Sequence, residues 1–133
     1  PERIAFSKED PMATPAEIVT DFIAAWPEGD AKRLASFFSE DAIYHNIPMD
    51  PIKGRENIEA ALTGFMGMVE QIRFDTLHLV ADGPVVMTER VDHFVNPDRT
   101  ISLPVMGIFE VRDGAITAWR DYFDLNQFTS QMG

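Results

Sequence analysis

From Ile72 to Asp124 the chain is a succession of β-branched and apolar runs separated only by turn signals. The runs are Ile72 to Ala81, Val85 to Val95, Thr100 to Val111 and Ala115 to Asp124. Asp82-Gly83, Asn96-Pro97-Asp98-Arg99 and Arg112-Asp113-Gly114 divide them. Gaps this short join antiparallel neighbours and leave no room for the crossover helix that a parallel pair needs. A large part of the molecule is therefore one folded-back sheet, and an alternating βαβ architecture is excluded. Pro104 cannot donate to a ladder, so the third run is expected to bulge or bend there.

Helices occupy the first half. Thr14-Pro15-Ala16-Glu17 combines an N-cap, a proline at the first helical position and a capping box. Ile18, Phe22, Ala25 and Trp26 follow at helical spacing, with Ile23 broadening the apolar face. Pro27-Glu28-Gly29 stops this helix, and Asp30 caps a second, expected over Ala31 to Phe38. A short strand, Ala42 to Ile47, ends at Pro48, and a loop follows to Gly54. Arg55 to Val69 reads as a third helix with Ile58, Leu62, Phe65, Met66 and Val69 as its stripe. Gly64 and Gly67 weaken it by up to ~1 kcal/mol each. A turn of helix from Leu125 to Gln131 brings Phe128 back over a sheet end. The expected class is α+β: a cone-shaped, strongly curved, mixed but mostly antiparallel β-sheet wrapped around helices, with an interior apolar pocket. A flexible arm, 1–13, is expected to precede a single domain, 14–133.

Composition narrows the partners. The 133 residues carry 22 acidic against 11 basic side chains, a formal charge of −11. That surface disfavours nucleic acid and anionic membranes. The absence of cysteine removes disulfides, cysteine-based zinc sites and thiol nucleophiles. No apolar run approaches the roughly 18 residues of a membrane helix, and the polar stretch Pro1 to Pro11 lacks a signal-peptide core. A cytoplasmic location is the expectation. His45, His78 and His93 fall on different elements without metalloprotease spacing, and no glycine-rich loop opens a helix. No metal or other cofactor is expected.

Strand alternation then singles out a set of polar side chains. Thr88, Arg90, Asp92 and Phe94 share one face, Tyr44 shares a face with Asn46, and Thr117, Trp119, Asp121 and Phe123 share another. Each residue has an ordinary reading by itself. Arg90 and Asp92 can form a solvated ion pair of small worth, Tyr44 can be core with its hydroxyl at the rim, and Asn46 can be turn chemistry before Pro48. Taken together they place two carboxylates, a guanidinium, a phenol and an amide on inward phases of three strands. Phe65, Val69, Phe94, Leu103, Val105, Trp119 and Phe123 would wall the space between them, the usual picture of a small-molecule site. Two carboxylates flanking Arg90 can hold different protonation states and act as acid and base. Tyr44 and Asn46 can orient a water by hydrogen bonds.

These segments also resemble a known family. The helix–helix–strand–helix–sheet order is similar to the nuclear transport factor two/ketosteroid isomerase superfamily. Within it, Tyr44-His45-Asn46 before Pro48, Thr88-Glu89-Arg90-Val91-Asp92, Gly107-Ile108-Phe109 and Trp119-Arg120-Asp121-Tyr122-Phe123-Asp124 resemble the limonene epoxide hydrolases. The resemblance runs from about Thr14 onward. It implies one-step addition of water to an apolar epoxide, giving a vicinal diol without metal, cofactor or covalent intermediate. Asp121 matches the family's general base, Tyr44 and Asn46 the water holders, Asp92 the general acid, and Arg90 the bridge between the aspartates. It further implies a homodimer, for which Met106, Ile108 and Tyr122 on the outer sheet face are candidates. Substrate contacts are expected from Ile23, Trp26, Phe65, Val69, Phe94, Leu103, Val105, Trp119, Phe123 and Phe128. A polyketide-cyclase-like or ketosteroid-isomerase-like enzyme, or a non-catalytic lipid or terpenoid binder, are the alternatives.

Overall fold

The structure, a computed structural model, describes residues 13–132. The expected N-terminal arm therefore lies outside the described residues except for Ala13, which packs against the core. The first helix, α1 (Pro15–Ala25), opens with the capping box: Glu17 N–H donates to Thr14 Oγ1 and the Glu17 carboxylate accepts from Thr14 N–H. A 3-10 turn, Trp26–Glu28, ends at Gly29, whose φ of 68° is one that glycine adopts without strain. The next helix, α2 (Ala31–Ala35), is shorter than its sequence pattern suggested. Phe38 belongs instead to β1 (Phe38–Asn46), where it pairs with Ile116 and meets Phe22 edge-on at 5.4 Å. Burial of that ring overrides local helical preference.

The loop after Pro48 contains a two-residue strand, β2 (Ile52–Lys53), followed by α3 (Arg55–Met66). Helix α3 ends three residues before the expected Val69, with Gly67 as its C-cap. Four long strands follow: β3 (Gln71–Asp82), β4 (Val85–Asn96), β5 (Arg99–Arg112) and β6 (Ala115–Tyr122). The chain closes with α4 (Leu125–Thr129) and a 3-10 turn to Met132. Strand order across the curved, unclosed sheet is β2-β1-β6-β5-β4-β3. Only β1 and β6 run parallel; the other pairs are antiparallel.

Alternation along β4 and β5 divides the sheet cleanly. Val86, Thr88, Arg90, Asp92 and Phe94 are buried, as are Leu103, Val105, Phe109 and Val111. Met87, Met106 and Tyr122 face outward and are exposed. Helix α1 lies against the concave side, where Phe22 contacts Trp26, Phe37, Phe38, Phe109 and Trp119, each in an edge-on geometry. Such aromatic pairs each add about 0.5–1.5 kcal/mol beyond area burial.

Pro104 does not distort the sheet. It pairs with Val91 in unbroken register, and the shift in β5 falls between Glu110 and Val111. Two residues earlier, the Ser102 N–H and C=O point away from β4, to the Gln131 side chain. Antiparallel pairs alternate, so Pro104 shares that orientation and its nitrogen faces away from β4. Pairing of β5 with β6 begins only at Met106, so no ladder bond among the described residues is lost at Pro104.

Candidate active site

One row of register runs across four strands: Asn46 beside Asp121, Asp121 beside Gly107, Gly107 beside Thr88. Gly107 leaves a gap in this row above β5. Through it the guanidinium of Arg90, one inward position along β4, reaches Asp121 on β6 despite the intervening strand. A Cβ on Gly107 would lie 2.3 Å from Arg90 Nη1, 2.6 Å from Asp121 Oδ1 and 3.0 Å from Thr88 Oγ1. The glycine is required here for space, as glycine within a strand often is.

Arg90 is 1 % exposed, yet every N–H it carries has an acceptor. Nε donates to Asp92 Oδ1 at 3.0 Å and Nη2 to Asp92 Oδ2 at 2.8 Å. Nη2 also donates to Asp121 Oδ2 at 2.8 Å, while Nη1 donates to Asp121 Oδ1 at 3.2 Å and Thr88 Oγ1 at 3.1 Å. Each carboxylate is thus held by two parallel bonds, the strongest form of Arg–carboxylate contact. The Phe74 ring covers the guanidinium at 4.8 Å from its centroid. Breaking such a buried group by removing one partner costs about 3–5 kcal/mol.

The two aspartates sit in unequal surroundings. Asp121 has a further donor, the indole N–H of Trp119, at 2.6 Å. Asp92 has its two bonds from Arg90. Burial pushes the Asp92 carboxyl up to about 6, against the opposing hydrogen bonds and charge of Arg90, with Asp121 adding to the rise. For Arg90, burial works against the charge, but the two carboxylates outweigh it and hold the guanidinium above its usual value.

Tyr44 stacks on Trp119 with ring centroids 4.3 Å apart and an interplanar angle of 10°. Its hydroxyl lies 3.2 Å from Asn46 Oδ1 and 3.1 Å from Asn46 Nδ2. Burial, followed by the nearby Asp121 charge, raises the phenol well above its usual range, so it remains a neutral donor.

Tyr44 and Asn46 open onto a cavity of about 390 Å³, toward the lower end of the roughly 300–1,000 Å³ of small-molecule sites. Of the residues proposed from the sequence, Phe65, Val69, Phe94, Leu103, Phe123 and Phe128 line it. Four expected contacts do not. Trp119 lies beneath Tyr44, stacked between that ring and Phe109. Ile23 and Trp26 belong to the α1 side of the core, where Trp26 packs on Phe74 at 4.6 Å. Val105, one inward position beyond Leu103, is buried in the core beside Arg90. The cavity gains Leu62 and Ile101, whose phases match Phe65 and Leu103, Leu125, one turn before Phe128 on α4, and Met49, Ile52, Met68 and Met132. Asn96 supplies a further polar group. The histidines lie elsewhere: His45 contacts the Met49 carbonyl, His78 pairs with Glu89, and His93 bridges Ser102 and Asp75.

The curved, unclosed sheet packed over a helix, with a polar cluster beneath an apolar cavity, is the nuclear transport factor two/SnoaL-like fold. The chain belongs to the limonene epoxide hydrolase family: residues 13–133 match the model for the limonene-1,2-epoxide hydrolase catalytic domain. Epoxide hydrolase EphG of Mycobacterium tuberculosis is 34% identical over 109 residues, covering 80% of this chain and 71% of that protein. The structure of an M. tuberculosis limonene-epoxide-hydrolase-like epoxide hydrolase superposes with a TM-score of 0.78 at 29% identity, over 88% of this chain and 87% of that one. The fold is also that of the epoxide hydrolase/cyclase-like enzyme SalBIII, at 21% identity and TM-score 0.76, over 85% and 92% of the two chains.

Proposed function

We propose that this chain adds water to a small or medium apolar epoxide, limonene-epoxide-like in size and polarity, in one step to give a vicinal diol. The observation that carries this reading is the buried Arg90, which holds two aspartates in unequal environments below an apolar cavity. Tyr44, Asn46 and ionised Asp121 hold a water. Its oxygen attacks one epoxide carbon, Asp121 takes its proton, and the C–O bond of the ring breaks. Neutral Asp92 gives its proton to the departing oxygen. Asp121 returns its proton to solvent, Asp92 regains one, and the cycle restarts. No ester to the protein forms, and the step calls on no metal or other cofactor.

Turnover in heavy-oxygen water tests this. One labelled oxygen should appear in the diol, with none entering the protein during a single turnover. Asp121→Asn and Asp92→Asn should each abolish diol formation while the circular dichroism spectrum stays native. Near-native activity in either variant would sink the assignment of roles.

The runner-up keeps the fold and moves a proton next to a carbonyl, as a polyketide-cyclase-like or isomerase-like enzyme would. It is favoured by the neutral Tyr44 phenol, a suitable oxyanion donor. Carbonyl isomerisation without turnover of any epoxide would select it. A lipid or terpenoid carrier would retain its ligand unchanged, and would gain little from two buried carboxylates.

A further inference from the structure

Strand β6 is too short to cover β5. Pairing between them starts at Tyr122 opposite Met106, so among the described residues the β5 segment from Arg99 to Val105 has no strand on that side. The backbone after Tyr122 turns away instead, Asp124 caps α4, and the chain returns over this edge. There the side chain of Gln131 behaves as a strand would. Its Oε1 accepts the Ser102 N–H at 3.0 Å, and its Nε2 donates to the Ser102 carbonyl at 2.9 Å. Nε2 also donates to the Gln127 carbonyl one turn back, at 2.9 Å. One amide thereby satisfies both main-chain groups of Ser102 and ties the last turn of α4 to the sheet.

The segment held this way is a wall of the candidate active site. Leu125, Phe128 and Met132 all face the 390 Å³ cavity, and Phe128 meets Phe94 edge-on at 5.7 Å. Leu125 and Met132 are nonetheless 37 % and 47 % exposed, and α4 has no buried residue. Apolar burial alone therefore fastens this wall weakly, and its placement depends on directional bonds. A second tie, from Arg99 Nη1 to the Gln131 carbonyl at 3.3 Å, is long and exposed.

We propose that Gln131 is a positioning residue: through Ser102 it fixes the C-terminal wall of the cavity and so sets the size of epoxide that is processed efficiently. The proposal deepens the hydrolase reading and rests on it for the word substrate. The latch itself is testable without turnover.

Gln131→Ala removes both bonds to Ser102. Gln131→Glu keeps the acceptor for the Ser102 N–H but sets a carboxylate against its carbonyl. Amide exchange at Ser102, followed by NMR, should accelerate about tenfold or more in Gln131→Ala, with faster exchange over 125–132 in both variants. With cyclohexene oxide as the small probe and trans-stilbene oxide as the large one, KM for the small substrate should rise several-fold with kcat little changed. The ratio of kcat/KM values should shift toward the large substrate. Unchanged exchange at Ser102 in Gln131→Ala would overturn the latch, and an unchanged substrate ratio would overturn its role in selection. Should the natural chain turn over neither epoxide, the functional reading fails, and the latch is then decided by Ser102 exchange alone.

Discussion

The α-carbon of Gly107 stands under the guanidinium of Arg90 so closely that a Cβ there would lie 2.3 Å from Nη1. The same Cβ would press on Asp121 Oδ1 at 2.6 Å, and both atoms belong to one buried, fully hydrogen-bonded group. Gly107→Ala must therefore displace Arg90, Asp121 or the β5 backbone. Overpacking of this kind costs about 1–3 kcal/mol. A thermal melt should register that loss, and diol formation should fall by about two orders of magnitude, since a small misplacement of catalytic groups costs about that much. Native stability with native kcat/KM would show that Arg90 does not need the gap.

Much of this site is visible in the sequence because strand alternation is rigid. Arg90 and Asp92 had to share a face, as did Trp119 and Asp121; that these faces are the buried ones comes from the way the strands pair and pack. Gly107 falls on the inward phase of its strand, but register, which no single strand encodes, is what puts it between Thr88 and Asp121. The cavity wall was harder to read. Phe65 and Leu103 sit on periodic faces, whereas Met49, Met68 and Met132 come from segments without a period and reach the cavity through chain reversals. Trp119 went wrong for a different reason. It has the correct phase, but Tyr44 stacks over it, and one-dimensional patterning carries no depth. The end of the expected α2 became a turn at Ser36 and Phe37, and Phe38 joined β1, where the Phe22 and Trp119 rings bury it.

The indole N–H of Trp119 gives Asp121 a bond at 2.6 Å that none of the five donors of Arg90 replaces. Trp119→Phe keeps an aromatic ring between Tyr44 and Phe109 and deletes only that donor and part of the ring. A hydrogen bond to a charged group is worth about 1.5–3 kcal/mol, so kcat should fall roughly 10- to 100-fold with KM less affected. The loss should persist at every pH on the activity plateau. An unaltered kcat would mean that Arg90 alone orients the carboxylate.

We also propose a homodimer through the outer face of the sheet. Met106 lies opposite Tyr122 in the β5–β6 register and beside Glu89 on β4, while Met87 lies opposite Ile108. Met87, Met106 and Tyr122 are each more than 40 % exposed, forming an apolar patch on a chain of charge −11. Covering it with a second copy hides apolar surface that a monomer seldom leaves open. Met106→Glu would set like charges across such an interface. Sedimentation velocity at micromolar concentration should show a dimer for the natural chain and a monomer for the variant. A natural chain that sediments as a monomer would remove the proposal.

Asp92 ties stability to pH through one proton, and the proposed acid role would tie activity to the same group. Its folded value is raised from 3.8 to about 6, chiefly by burial. Between those two values the folded chain holds a proton that the unfolded chain has released, so stability falls as pH rises. This contribution is fully present below about 3.8 and is lost as pH climbs through about 6, a change of about 3 kcal/mol. The other carboxylates titrate too, so the measurement is a difference: denaturant unfolding of the natural chain and of Asp92→Asn, each at about pH 4.5 and 7.5. Because asparagine does not ionise, the natural chain should lose stability relative to the variant on going to the higher pH. Activity should follow the same group. If neutral Asp92 supplies the proton to the epoxide oxygen, kcat/KM should decline above an apparent pKa near 6. A stability difference that stays constant with pH would mean that Asp92 does not titrate in this range, and the acid role would have to pass to another group.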